Sequence, residues 1–235
     1  PRFSFNRISP HPTMRNAAHF SRHGTDSRRK QLFRIEHCGE MMSMGDFPTL
    51  HTERLILRQF QASDADIVQR LAGTKEVAAG TLLPHPYGAE TAATWIAQQQ
   101  ENFVAGTALS FAIVLAGDEQ LIGSIGMEIA PEHQLARLTY WLGVATWNQG
   151  YCTEAVQAVL DYGFTHLSLR RIYAPHFHNN PASGRVLRKV GMTHEGRMRE
   201  HYIRFGELVD VEIYGMLRKE FMSQPSGRSG VEGSP

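Results

Sequence analysis

The chain has 235 residues, 42% hydrophobic and 20% charged, which supports a sizeable core and excludes wholesale disorder. Its net charge is +1, but Pro1–Glu40 holds eight Lys or Arg against three Asp or Glu, leaving the other 195 residues four charges negative. Two cysteines (Cys38 and Cys152), and no apolar run near 18 residues, give no support to a disulfide framework, a cysteine metal cluster, a membrane span or a signal peptide; a reducing, cytoplasmic setting fits.

Residues 1–44 are rich in Arg, His, Ser and Asn without periodicity and are expected to form a disordered basic leader. Met41, Met42 and Met44 cluster where an ordered pattern begins, so the leader is expected to be upstream or artificial sequence. A nucleic-acid-binding or targeting arm is its functional alternative, which a short Arg-rich run supports only weakly. Residues 223–235 read as a flexible tail, and 45–222 as one domain.

Within that domain RLILRQF (54–60) reads as a strand, and Ser63 with Asp64 as the cap of a helix carrying Ile67, Val68 and Leu71. A Pro/Gly loop, LLPHPYG, leads to a helix from Ala89 to about Ala105. LSFAIVLA and QLIGSIGMEIA form two strands joined at Gly117 and Asp118, and ARLTYWLGV forms a third. Gly150 to about His166 spaces Ala155, Val159 and Tyr162 as one helical face. RRIYAPHF is a short strand, NNPASGRVLRKVGM a short helix closed by Gly191, and the rest a strand pair turning at Phe205 and Gly206. The sum is an α+β domain with a mixed sheet.

The turn WNQGYCTEA, between the YWLGV strand and the following helix, has a chemistry of its own. The first N–H groups of a helix lack intrahelical partners and sit at its positive end, a ready phosphate site, and Gly150 lets an anion approach the main chain. A tight strand-to-helix connection would use the same letters. His176 and His178 stand at i, i+2 spacing, but without nearby cysteine or a third ligand they do not argue for a metal.

TYWLGVATWNQGYCTEAVQAVLDYGF, RRIYAPHFHNNPASGRVLRKVGM and GELVDVEIYGML together resemble the GNAT superfamily of N-acetyltransferases, in the branch similar to Rim-type ribosomal-protein N-terminal acetyltransferases. The likeness runs from HTERLILRQF to about Phe221. It implies a single GNAT-like domain whose mostly antiparallel sheet contains one splayed parallel strand pair, with acetyl-CoA as acyl donor and no metal. By position, Trp141, Leu142, Gly143 and Val144 would offer main-chain groups to the pantetheine arm. Gln149, Gly150, Tyr151, Cys152 and Thr153 would offer amides to the pyrophosphate. Asn148 stands where the branch commonly has glycine, and Cys152 where it has alanine; Asn tolerates left-handed backbone.

Asn180 and Ser183 match the family's N-P-A-S, which implies that Asn180 contacts the cofactor and that Ser183 lies near the thioester sulfur and assists thiolate departure. The same two residues could simply cap a helix beginning at Pro181. SGRVLRKV offers no tyrosine for the acid role that many relatives give one there. Glu128 is the candidate base, with Arg137 standing where relatives carry an acidic residue. A covalent role for Cys152 is not expected, since the family transfers acetyl directly to amine. His85 and Tyr87 are placed at the acceptor entrance by analogy, and Asp210 with Tyr214 resembles the branch's D-V-x-x-Y. The expected activity is acetyl transfer to a primary amine, either a protein N-terminus or a small molecule, by a monomer or homodimer. The rival reading is a non-catalytic acyl-CoA-binding regulatory module.

Overall fold

The computed structural model describes residues 46–224. The expectations for residues 1–44, and for the tail from residue 225 onward, lie outside the described residues. The first strands, β1 (Leu50–His51) and β2 (Leu55–Gln59), precede helices α1 (Ala65–Ala72), α2 (Lys75–Ala79) and α3 (Ala89–Val104). Three strands follow, β3 (Ala108–Leu115), β4 (Leu121–Ala130) and β5 (Leu135–Leu142). Then come α4 (Tyr151–Thr165), β6 (Arg171–Phe177), α5 (Pro181–Lys189), β7 (Thr193–Arg204), β8 (Glu207–Leu217) and α6 (Arg218–Met222). The strands form one sheet in the order β1-β2-β3-β4-β5-β6-β8-β7, in which only the β5–β6 pair is parallel. β3–β4, β4–β5 and β7–β8 connect by short turns, α1–α3 lie between β2 and β3, and the parallel pair needs the long α4 crossover.

At its centre the sheet is buried on both faces, which is why β3 reads as a nearly continuous apolar run. On one face Leu57, Leu109, Ile113, Ile125, Met127 and Leu138 pack against Val156, Val159, Leu160 and Phe164 of α4 and Leu187 of α5. On the other, Ala112, Val114, Leu121 and Trp141 meet Val68 and Ala72 of α1 and Ala92 and Ile96 of α3. Strand alternation thus sends Leu138 and Trp141 of one strand into different layers.

Three short elements escaped the periodicity argument. The strand β1 has two residues, α2 five and α6 five, too few for a repeat to show. The helix α2 is set by Thr74, whose hydroxyl accepts from Val77 N–H, and α6 by burial of Phe221. The expected cap at Ser63 and Asp64 takes another form, since no side chain caps α1. Asp64 is buried, receives both Arg58 guanidinium nitrogens at 2.7 and 2.9 Å, and accepts from Gln61 N–H. Its charge is better compensated by the guanidinium than by two amides, so it closes the turn Ala62–Asp64 and ties α1 to β2.

Replacing Asp64 by alanine strands the Arg58 charge. Because Arg58 retains some water contact, with 24% side-chain exposure, the expected loss is about 2 kcal/mol rather than the full cost of a dry pair. Urea denaturation of Asp64→Ala against the parent checks this; an unchanged midpoint would rule out a structural role for the pair.

Candidate functional site

The site begins where the sheet's ladder is interrupted. The antiparallel β4–β5 pairing runs from Ala130↔Leu135 to Gly123↔Leu142. With β6, β5 shares only Leu135↔Arg171, Ala136↔Ile172 and Arg137↔Tyr173, while β6 stays paired with β8 to Phe177↔Val211. The two parallel strands therefore part beyond Arg137 and Tyr173. In an antiparallel ladder, alternate residues turn their backbone groups to the partner and away from it. Gly143 N–H donates to Ile122 O at 2.8 Å, which fixes the phase. Thr139 and Trp141 face β4, and Leu138, Tyr140 and Leu142 face the gap.

This phase redistributes the segment expected to meet pantetheine. Trp141 and Gly143 direct their N–H groups to β4, and the Gly143 carbonyl accepts from both Thr146 N–H and Thr146 Oγ1. Leu142 O accepts from the Trp147 indole at 2.8 Å. The N–H groups of Leu142 and Val144 donate to no protein acceptor among the described residues.

The turn that follows has left-handed backbone at Asn148 (φ 60°) and Gly150 (φ 86°), on either side of Gln149. Asparagine accepts that conformation better than other side chains, so the turn forms without the glycine common at this place. The first helix-internal bond to the turn is Glu154 N–H to Gly150 O, leaving the N–H groups of Gln149, Gly150, Tyr151, Cys152 and Thr153 without protein acceptors among the described residues. Arg54, just before β2, clamps the turn: it donates to Gln149 O at 3.0 Å, pairs with Glu154 at 2.6 Å and lies 4.6 Å over the Tyr151 ring. Partial burial pushes the Glu154 carboxyl up, but hydrogen bonds from Thr52 and Arg54 outweigh it and hold the group below its ordinary range. Sequence reading missed this clamp because its partners are about 100 positions apart. The gap, the open amides and a positive helix end fit a thioester arm with a pyrophosphate.

Ser183 is buried near the start of α5, its Oγ 2.6 Å from the Tyr140 hydroxyl on β5. Asn180 caps α5, accepting from Ser183 N–H, and donates to Gly80 O at the end of α2. Cys152 is turned inward, and burial pushes its thiol up to about 12, unsuited to a nucleophile at neutral pH. Burial also raises the Tyr140 phenol strongly, so that hydroxyl keeps its proton. Tyr140 is the residue the sequence argument passed over, although its strand was singled out.

Glu128 lies on the opposite face from α4, bound through both oxygens by Arg137 at 2.9 and 2.6 Å, with half its side chain exposed. His85 and Tyr87 separate: the exposed His85 ring meets Phe205 of the β7–β8 turn edge to face, whereas Tyr87 is buried among Val68, Ala92 and Ile96. Arg204 fastens that turn to the α2–α3 loop through Ala78 O and Leu83 O. Asp210 accepts from Glu200 N–H, and the Tyr214 hydroxyl accepts from Arg188. Between them the buried Glu212 accepts from His178, His194 and Arg197 at 2.8, 2.6 and 2.6 Å. His176 stacks on Tyr214 and bonds Phe177 O, so the two histidines serve different partners. Among the described residues no group of three or more His, Cys, Asp or Glu side chains is placed so that it could hold a metal ion.

The profile of the Acetyltransferase (GNAT) domain family matches residues 54–193. The uncharacterized N-acetyltransferase p20 of Bacillus licheniformis is 32% identical over 174 residues, covering 74% of this chain and 98% of that protein. A GNAT-family acetyltransferase structure from Bacillus anthracis superposes with a TM-score of 0.65 at 27% identity, covering 73% of this chain and 99% of that one. The ribosomal L7/L12 alpha-N-protein acetyltransferase RimL, solved with coenzyme A, shares the fold with a TM-score of 0.66 at 20% identity, over 72% and 97% of the two chains.

Two expectations follow from the geometry. At Asn148, glycine should keep acetyl-CoA affinity within about twofold, whereas valine, which resists positive φ, should weaken it about tenfold or more. Calorimetric titration decides, and equal affinity for Asn148→Val would mean that the turn does not hold the cofactor. At Glu212, burial raises the carboxyl, but bonds from His194, His178 and Arg197 prevail and hold it at about 2. A depressed acid stabilises the fold above its unfolded pKa and loses that contribution as pH falls through the folded value. Stability should therefore decline between about pH 5 and pH 2 in the parent, and Glu212→Gln should flatten that interval in pH-dependent denaturation.

Proposed function

The chain belongs to the GNAT acetyltransferase family and is an acetyl-CoA-dependent N-acetyltransferase, and from that premise we propose that its acceptor is the α-amine of a protein N-terminus. The observation that carries the site is the parting of β5 and β6 beyond Arg137 and Tyr173, with Ser183 buried beside it. Acetyl-CoA supplies an activated acyl carbon and a thiol leaving group. The free amides of Leu142 and Val144, with the gap-facing groups of Tyr140, hold the thioester arm. The amides from Gln149 to Thr153 hold the pyrophosphate without needing particular side chains, and Asn180 caps the α5 terminus that carries Ser183. The Ser183 hydroxyl donates to the departing sulfur.

The α-amine is favoured by charge and acidity. A polyamine calls for uncompensated carboxylates, but Glu128 is neutralised by Arg137. An α-amino group with pKa about 7.7–8.0 is partly neutral already, whereas lysine at about 10.4 needs a stronger base. Two lone pairs of the Glu128 carboxylate remain after Arg137 is bound, enough to take the amine's proton through water. His85 borders the acceptor entrance, and the alpha-N-protein acceptor in RimL's name accords with the choice. A cytoplasmic location suits such an acceptor, and no described helix is long and apolar enough to cross a membrane.

Thiol release from acetyl-CoA with hexapeptides bearing N-terminal Ser or Ala, with the same peptides blocked at the N-terminus but containing lysine, and with spermidine tests this reading. Free N-termini are expected to be turned over preferentially, and Ser183→Ala to lower kcat about 100-fold. Preference for spermidine, or for the blocked peptides, would overturn the assignment of the acceptor.

A further inference from the structure

The bond between Tyr140 and Ser183 crosses the gap between β5 and α5, and its direction can be worked out. The phenol is half-buried, and the oxygen atoms within its reach among the described residues are Ser183 Oγ at 2.6 Å and Ser183 O at 3.5 Å. If Ser183 donated to Tyr140, the phenol's own hydrogen would be left with the carbonyl at 3.5 Å, a long and weak bond. Donation from Tyr140 to Ser183 Oγ satisfies both oxygens and leaves the serine hydrogen free to turn outward. An accepting hydroxyl is also a better donor, because successive hydrogen bonds polarise one another.

We propose that Tyr140 is a positioning residue that locks Ser183 as a one-way hydrogen-bond donor to the cofactor sulfur, through the chain Tyr140 O–H to Ser183 O–H to sulfur. The inference rests on the reading of Ser183 given above. When the C–S bond breaks, its electron pair goes to sulfur, and Ser183 stabilises the charge there by hydrogen bonding. The acceptor nitrogen loses one proton and the sulfur finally gains one, so Ser183 and Tyr140 both end as they began. The strongly raised phenol pKa suits this role, since Tyr140 holds its proton throughout. The chain replaces the tyrosine acid of many relatives by a tyrosine on the neighbouring strand acting through a serine.

The test is the acidity of coenzyme A's thiol when bound, read by thiolate absorbance as a difference titration against cofactor-free enzyme. It requires no acceptor, and the thiol of the half-buried Cys152 is pushed up to about 12, away from the window used. Bound thiol is expected to titrate below free coenzyme A. Tyr140→Phe should raise it by about one pKa unit, a tenfold weaker preference for thiolate. Ser183→Ala should raise it at least as far, with no further rise in the double variant. A shift in Ser183→Ala but none in Tyr140→Phe would overturn the role of Tyr140 and leave Ser183 intact. No shift in Ser183→Ala would overturn the reading of Ser183 itself, and equal additive shifts would show that the two hydroxyls act separately, against the chain. Should Tyr140→Phe fail to fold, 3-fluorotyrosine at position 140, a stronger donor, should lower the bound thiol's pKa, and a rise would refute the proposal.

Discussion

Beyond Arg137 and Tyr173, β5 and β6 stop exchanging hydrogen bonds, and every gap-facing N–H and C=O past that point needs another partner. A buried backbone group left unpaired costs about 1–3 kcal/mol, so such a break persists only if the surrounding packing holds the strands apart and something else meets the polar edge. The packing is visible on both sides. The strand β5 stays registered with β4 to its last residue, and β6 with β8, so neither can swing across to close the seam. Trp147 covers one orphan, the Leu142 carbonyl, and Tyr140 with Ser183 bridges the gap by side chains. The remaining donors form the lining a thioester arm can use.

The turn after β5 illustrates how a binding loop made of main chain is held without being filled by its own side chains. Left-handed residues at Asn148 and Gly150 aim the amides, but two soft dihedrals do not make a rigid cradle. Rigidity comes from Arg54, at the far end of the domain in sequence, which grips a carbonyl and a carboxylate on opposite sides of the turn. The charge of Glu154 is thereby balanced by Arg54 and not by the helix terminus, which stays electropositive for an anion. Cys152, the most conspicuous letter of the turn, contributes a half-buried side chain packed on the core.

Much of this was legible in the sequence because it depends on local pattern. The helix expected from Ala89 to about Ala105 is α3, Ala89–Val104, and the helix expected from Gly150 to about His166 is α4, Tyr151–Thr165. Phe205 and Gly206 form the β7–β8 turn with positive φ at both positions. The family motifs singled out Asn180 and Ser183 as candidates, and the structure shows Asn180 capping α5 and Ser183 bonded to Tyr140. What the sequence could not convey were partners joined by the fold: Arg54 with Glu154, Asp64 with Arg58, Tyr140 with Ser183. Tyr140 shares its face with Leu138 and Leu142, so periodicity reads it as core, and its hydroxyl acquires a role only when α5 is laid against β5. Tyr87 shows the converse, since its loop resembles an entrance while its ring belongs to the layer beneath α1 and α3.

The two carboxylates near the site are treated differently, and the contrast bears on chemistry. Glu212 is enclosed, with three donors on its two oxygens, so it is locked as an anion and serves as the hub that joins β6, β7 and β8. Glu128 has one partner, Arg137, and half of its side chain in water. A guanidinium fork occupies two of a carboxylate's lone-pair directions and fixes its plane, leaving the other two directed outward. Under the proposed function that arrangement lets Glu128 take a proton from an amine and pass it to water, because the orientation is set while access is kept. The same pair balances the charge of Glu128. A lone α-amine that is already partly neutral loses little by this, whereas a polycation would lose the attraction on which its binding depends.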